Sequence, residues 1–271
     1  MLAALVIVFR EVLEAGLVVG IVLAATRGIP RQKLLIGAGL VAGLAGAALV
    51  AVFAGAIADA AAGFGQELFN AAVLLIAVVM LAWHNVWMNR HGRELAADLG
   101  RAGSAIVAGE KPAWALSVVI AIAVLREGAE VVLFLYGIAA GGETDGAQML
   151  TGGLAGVVAG GVLSAAMYLG LLRLPMKLLF GVTTALIALL AAGMAAQAAG
   201  YLIAADVAPS LGDTLWDTSH ILSDHSMAGI VLRTLVGYID RPAGLQVAAW
   251  VLTLGIIVLL TGANSSKPQT A

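Results

Sequence analysis

Two stretches of this sequence carry the same pattern of ionisable groups, Arg10-Glu11-Val12-Leu13-Glu14 and Arg126-Glu127-Gly128-Ala129-Glu130. Positions three and four apart share a helix face, so each copy sets two carboxylates side by side with an arginine able to reach the second. Carboxylate oxygens suit hard cations, and Glu11, Glu14, Glu127 and Glu130 together can hold a multivalent ion such as iron(III) or manganese. A soft ion such as copper(I) requires sulfur; Cys is absent and the 8 Met form no cluster. Arg10 and Arg126 would balance the charge of the empty site. The competing reading is a pair of ion pairs that bolts two helices together. Buried pairs stabilise weakly compared with apolar packing, so a matched double occurrence points to function.

Both copies lie inside apolar runs, Leu2 to Ala25 and about Trp114 to Ala140. With 271 residues, 62% hydrophobic and 11% charged, and a mean hydropathy of +1.04, the chain is a polytopic membrane protein. Each ionisable group at the membrane centre costs about 2.5–3.5 kcal/mol, so the set costs about 15–20 kcal/mol before pairing. Lining a hydrated or ion-binding interior compensates that cost. The first run lacks a basic leader region and carries its charges centrally, which marks it as a retained span. Without Cys, disulfides, thiolate metal sites and cysteine nucleophiles are excluded.

The elements that position the motifs follow from hydropathy. The sequence predicts an all-α integral membrane fold of seven transmembrane helices, about 2–25, 34–58, 68–88, 114–140, 150–172, 178–204 and 245–261. Ten of the 14 Lys and Arg fall on one side of this arrangement, which places the C-terminus in the cytoplasm and the N-terminus outside. The motifs are 116 residues apart, with Gly37 answering Gly153 and Gly39-xxx-Gly43 lying near Gly156-xxx-Gly160. Residues 1–90 and 114–204 therefore read as two three-helix repeats, inverted because three is odd, with the motif helices antiparallel. Inverted repeats place their site near the bilayer midplane, which fits motifs about 14–18 Å into their spans. The whole of 1–262 forms one membrane domain, with an outer loop over 206–244, a seventh helix over 245–261 and a disordered cytoplasmic tail over 263–271.

Secondary candidates lie along a path to the motifs. His84, with Asn85, ends the third span, although the cluster from Trp83 to Trp87 reads first as an interfacial cap. Gln197 sits deep in the sixth span and could bond a motif helix or a neighbouring backbone. Asp217, His220 and Asp224 would share one polar face if helical, and Glu67 belongs to a set of outer acidic residues able to concentrate cations. Ordinary solvated surface is the competing reading for these loop groups. No His-Glu-x-x-His, Gly-x-Ser-Gly, Gly-x-Gly-Asp or ATP-binding loop occurs, which argues for a transporter rather than an enzyme, without cofactor or nucleic-acid partner.

The two motifs in the first and fourth spans, and the stretch from Trp216-Asp217-Thr218-Ser219 through Gly237-Tyr238 before the last span, resemble the high-affinity iron permeases. That family comprises the membrane partners of multicopper oxidases in fungi and the permeases of bacterial Efe-type iron uptake. The resemblance covers about residues 1–262; the family's usual Arg-Glu-Gly-Leu-Glu has Val12 in place of Gly here, and Ala129 in place of Leu. It implies import of iron, as iron(III), across the cytoplasmic membrane by a multi-pass protein. It also implies the motif glutamates as ligands, and an extracytoplasmic partner that oxidises or delivers iron. Some relatives are linked to lead. A cation-binding sensor or assembly subunit without transport remains the alternative, and a homo-oligomer in lipid is compatible with either.

Overall fold

The computed structural model describes residues 1–61, 65–141, 145–171 and 176–262. These hold eight helices: α1 Leu2–Ala25, α2 Gln32–Ala61, α3 Gln66–Val107, α4 Ala115–Ala140, α5 Gly146–Tyr168, α6 Met176–Ala204, α7 Met227–Val236 and α8 Gly244–Gly262. Five segments, in α2, α3, α5, α6 and α8, are long and apolar enough to cross a bilayer. The motif helices α1 and α4 match them in length, at 24 and 26 residues, and differ in the charges each carries at its centre. The chain is an all-helical membrane protein. The tail expected over 263–271 lies outside the described residues.

Small residues decide which helices pair. A Cβ on Gly43 of α2 would sit 2.7 Å from Val124 Cβ and 2.9 Å from the Ala121 carbonyl oxygen of α4. A Cβ on Gly156 of α5 would sit 2.9 Å from Val8 Cβ and 2.8 Å from the Leu5 carbonyl oxygen of α1. Val124 and Ala121 stand 116 residues after Val8 and Leu5, so both glycine helices dock on the same stretch of their motif helix. Further along, Gly55 of α2 leaves room for Tyr136 of α4, and Gly20 of α1 leaves room for Tyr168 of α5. The fold is thus built of pairs, α1 with α5 and α2 with α4, to which α3 with α6 adds a third. Helix α6 is central, with 61% of its apolar window buried against 11% for α2 and for α8.

Two apolar clusters bracket the charges. One gathers Ile7 of α1, Leu74, Ala77 and Leu81 of α3, Phe134 of α4, and Ile187 to Ala198 of α6. The other gathers Val22 of α1, Ile36 of α2, Ile106 of α3, and Leu116, Ile120 and Val124 of α4. Helix α1 passes from the first cluster through Arg10–Glu14 to the second, whereas α4 passes from the second through Arg126–Glu130 to the first. The two motif helices are therefore antiparallel, and each motif is sealed from both ends by aliphatic packing.

Two expectations need correction. The apolar span ends at Met88 as expected, but the helix does not; α3 runs 42 residues to Val107. Its far half has its own packing, with Ile106 in the second cluster and Gly103 against Ala25 and Thr26 at the end of α1. Loop 206–244, in turn, contains a helix. Ser226 caps α7 by accepting the Gly229 N–H at 3.0 Å, and Gly237 ends it at φ 75°, a left-handed conformation that favours glycine. No side chain fits at Gly237 in any case, because it packs on Gly193 of α6.

Candidate metal centre

Antiparallel α1 and α4 bring both motifs to one place, and α3 adds a residue of its own. Glu11, His84, Glu127 and Glu130 each offer one ligand atom, and these four atoms lie within 4.8 Å of one another. Glu14 stands beside them, its Oε2 3.6 Å from His84 Nε2. His84 Nε2 is also 4.0 Å from Glu11 Oε2, while Nδ1 pairs with Glu130 Oε2. One imidazole thus bridges the α1 and α4 carboxylates. His84 and Asn85 are 4% and 1% exposed, which overturns their reading as an interfacial cap. The apolar run stops after them, but the helix and its packing continue. Asn85 supports the position by donating Nδ2–H to the Thr184 carbonyl of α6 at 3.2 Å.

The arginines differ although their sequence positions match. Arg10 is 2% exposed and contacts Glu11 at 3.0 Å and Glu14 at 2.8 Å. Arg126 is 35% exposed; its Nε donates to Glu130 Oε1 at 3.2 Å and stands 3.8 Å from Glu127. The Arg126 guanidinium lies 4.3 Å over the Trp87 ring, which stacks in turn on His91 at 5.2 Å. Trp87 was not singled out as a site residue, yet it follows His84 by three positions and so shares its face. Glu11 Oε2 and Glu127 Oε2 are buried and accept no hydrogen bond. An unsatisfied buried acceptor costs about 1–3 kcal/mol, a deficit that a cation held there would remove.

The remaining candidates do not join this cluster. Glu67 is exposed in the first turn of α3, about 25 Å along the helix from His84 at 1.5 Å per residue. Gln197 lines a small cavity with Ala3 and Ile7 of α1 and packs against Gly141 at the end of α4. Asp217, His220 and Asp224 do not form a helical face, because 217–225 consists of turns and irregular backbone. Side chains there compete with helical hydrogen bonding: Asp217 accepts from Ser219 N–H at 3.0 Å and Ser219 Oγ at 2.6 Å. Thr218 N–H goes to the Asp240 carbonyl at 3.0 Å. Asp217 also pairs with Arg241 at 3.1 Å, and the bonds from Ser219, aided by Arg241, hold its carboxyl down to about 2. His220 is exposed, whereas Asp224 is buried and paired with Arg233 of α7 at 3.2 Å.

The family described as Iron permease FTR1 family matches residues 1–263. A protein of Escherichia coli O157:H7 named Ferrous iron permease EfeU is 33% identical over 258 residues, covering 94% of this chain and 92% of its own. Its namesake in Shigella sonnei matches to the same extent. A Shigella flexneri protein of that name is 35% identical over 190 residues, 70% of this chain and 80% of its own. No solved structure matches.

Proposed function

Since the chain belongs to the iron permease FTR1 family, we propose that it carries iron across the cytoplasmic membrane by way of the cluster between α1, α3 and α4. The observation that carries this reading is the convergence of Glu11, Glu127, Glu130 and His84 within 4.8 Å, between two apolar clusters. Glu11, Glu14, Glu127 and Glu130 supply the charge, His84 a nitrogen ligand, and Arg10 and Arg126 the balance when no ion is bound. Four carboxylates against two guanidiniums leave a formal charge of −2 with His84 neutral. A divalent ion closes that charge to zero, and imidazole is an ordinary ligand for iron, so we assign iron(II) to the site. Iron(III) is the second reading, favoured by the hardness of four carboxylates.

The topology proposed with it has seven spans, α1 to α6 and α8, in two inverted repeats over 1–90 and 114–204. The matched docking of Gly43 on α4 and Gly156 on α1, and the antiparallel course of the motif helices, support that arrangement. The basic side faces the cytoplasm and loop 206–244 faces outward, where an iron-oxidising or iron-delivering protein would dock. The exposed apolar faces of α2 and α8 are compatible with a homo-oligomer in lipid.

Proteoliposomes loaded with an iron-chelating dye test the function. Wild-type protein is expected to move iron supplied with ascorbate faster than iron(III) citrate, and Glu14→Gln or Glu130→Gln to abolish nearly all of it. Near-normal uptake by both variants refutes the ligand assignment, and faster iron(III) uptake reverses the choice of oxidation state. Binding without flux would make the protein a sensor rather than a permease.

A further inference from the structure

Arg10 and Arg126 occupy the same place in the two motifs, yet they meet their carboxylates differently. Arg10 uses the ends of its guanidinium, Nη1 to Glu11 at 3.0 Å and Nη2 to Glu14 at 2.8 Å, and so clamps both carboxylates of its motif. Arg126 approaches through Nε, 3.2 Å from Glu130 Oε1 and 3.8 Å from Glu127 Oε1, and its one hydrogen bond among the described residues is the first of these. The guanidinium carbon stands 4.3 Å over the Trp87 ring, whereas no ring lies over Arg10 among the described residues.

The two motifs share their spacing, so the difference comes from the neighbour on α3. Trp87 follows His84 by three positions, on the face that gives the cluster its imidazole. The ring is itself held. His91, one turn further, stacks on it at 5.2 Å with 24° between the planes. His91 also donates Nδ1–H to the Trp87 carbonyl oxygen at 3.2 Å, a direction fixed because a carbonyl only accepts.

The consequence falls on Glu127 and Glu130. A guanidinium fork closed on both, as Arg10 closes on Glu11 and Glu14, takes up the oxygens that an ion needs, through hydrogen bonds about twice as strong as neutral ones. An indole face offers the cation another partner. Glu130 is left with a single bond to Arg126, and Glu127 Oε2 accepts none. Glu130 is also the least buried of the four carboxylates, at 15% exposed against 3% for Glu14. The more open edge of the cluster is thus the one whose arginine is drawn aside.

We propose that Trp87 is a positioning residue of the iron site. Its ring holds the Arg126 guanidinium beside Glu127 and Glu130 without letting the fork close on them, so that the charge is balanced while the oxygens stay available to the ion. This rests on the reading of the cluster as the iron site.

Equilibrium iron(II) binding under ascorbate is measured on the full chain in detergent for wild type, Trp87→Phe, Trp87→Leu, Arg126→Gln and the Trp87→Leu/Arg126→Gln double variant. Trp87→Leu keeps apolar bulk and loses the π face; it is expected to weaken binding about fivefold, the worth of a part-exposed cation–ring contact. Trp87→Phe keeps a ring face and recovers part of that loss. In the Arg126→Gln background there is no fork to release, so Trp87→Leu changes binding by less than about twofold, which also shows that the fold tolerates it. Three results overturn the proposal and leave a packing contact: Trp87→Leu binding as wild type does, Trp87→Phe no better than Trp87→Leu, or an equal loss with and without Arg126. Wild-type protein that binds no iron sinks the cluster reading itself, and that failure is read before any variant is compared.

Discussion

Replacing Arg10 by Gln removes a guanidinium that is 2% exposed and contacts two carboxylates, Glu11 at 3.0 Å and Glu14 at 2.8 Å. Both lose their nearest cation in a setting that water does not reach, and breaking a buried pair in this way costs about 3–5 kcal/mol. For a chain of this size 1 kcal/mol moves the melting temperature by about 2–4 °C, so the expected drop is about 6–20 °C. The same substitution at Arg126 acts on a side chain that is 35% exposed. Solvent screening there reduces the ion-pair part to about 0–1 kcal/mol. Lost stacking on Trp87 adds about 0.5–1 kcal/mol, for a total drop of about 1–8 °C. Thermal unfolding of the detergent-solubilised protein, followed by fluorescence of its 5 Trp, compares the two. Equal shifts, or a larger one for Arg126→Gln, would refute the argument that burial and not motif identity sets the worth of each arginine.

Gly156→Ala places a Cβ within 2.9 Å of backbone and side-chain atoms of α1 and should cost about 1–3 kcal/mol by overpacking. Gly161→Ala meets nothing within 4 Å and should gain about 0.5–1 kcal/mol from helix propensity; the two melting temperatures must move in opposite directions. Asp217, held down to about 2, lies below the ordinary Asp value of about 3.9. Its contribution is therefore present above about pH 4 and is lost as pH falls through about 2. Its carboxyl carbon should show an NMR titration midpoint near the lower value, and a midpoint near the ordinary value would mean that its bonds to Ser219 and Arg241 do not form.

The motif residues are legible in the sequence because charges inside apolar runs have few physical explanations, and repetition removes most of those. His84 is harder to read. Hydropathy falls after Met88, so Trp83 to Trp87 look like residues at a membrane surface, and only the packing of Gly103 and Ile106 shows that α3 continues beside α1 and α4. Spacing by glycine is also ambiguous: it pairs Gly37 with Gly153, an offset of 116, whereas the contacts match Gly43 with Gly156, an offset of 113. A difference of three residues falls in the connection before α5, and a glycine-rich helix carries too little side-chain information to reveal it. The periodicity of Asp217, His220 and Asp224 misleads for another reason, since Asp, Ser and Thr side chains there bond the backbone in place of a helix.

Each of the three helix pairs contributes side chains to the cluster: α1 of the α1–α5 pair gives Glu11 with Glu14 beside it, α4 of the α2–α4 pair gives Glu127 and Glu130, and α3 of the α3–α6 pair gives His84. Within the α1–α5 and α2–α4 pairs the close glycine contacts leave little freedom to slide. Distances between these side chains are consequently a measure of how the pairs sit relative to one another. A cation that draws Glu11, His84 and Glu130 to a common distance stabilises one arrangement of the pairs over any other, by the difference in its affinity for them. Ion binding and helix-pair arrangement are then linked reciprocally: whatever loosens the apolar clusters around Ile7 or Val22 must weaken binding by the same free energy that binding contributes to holding them closed.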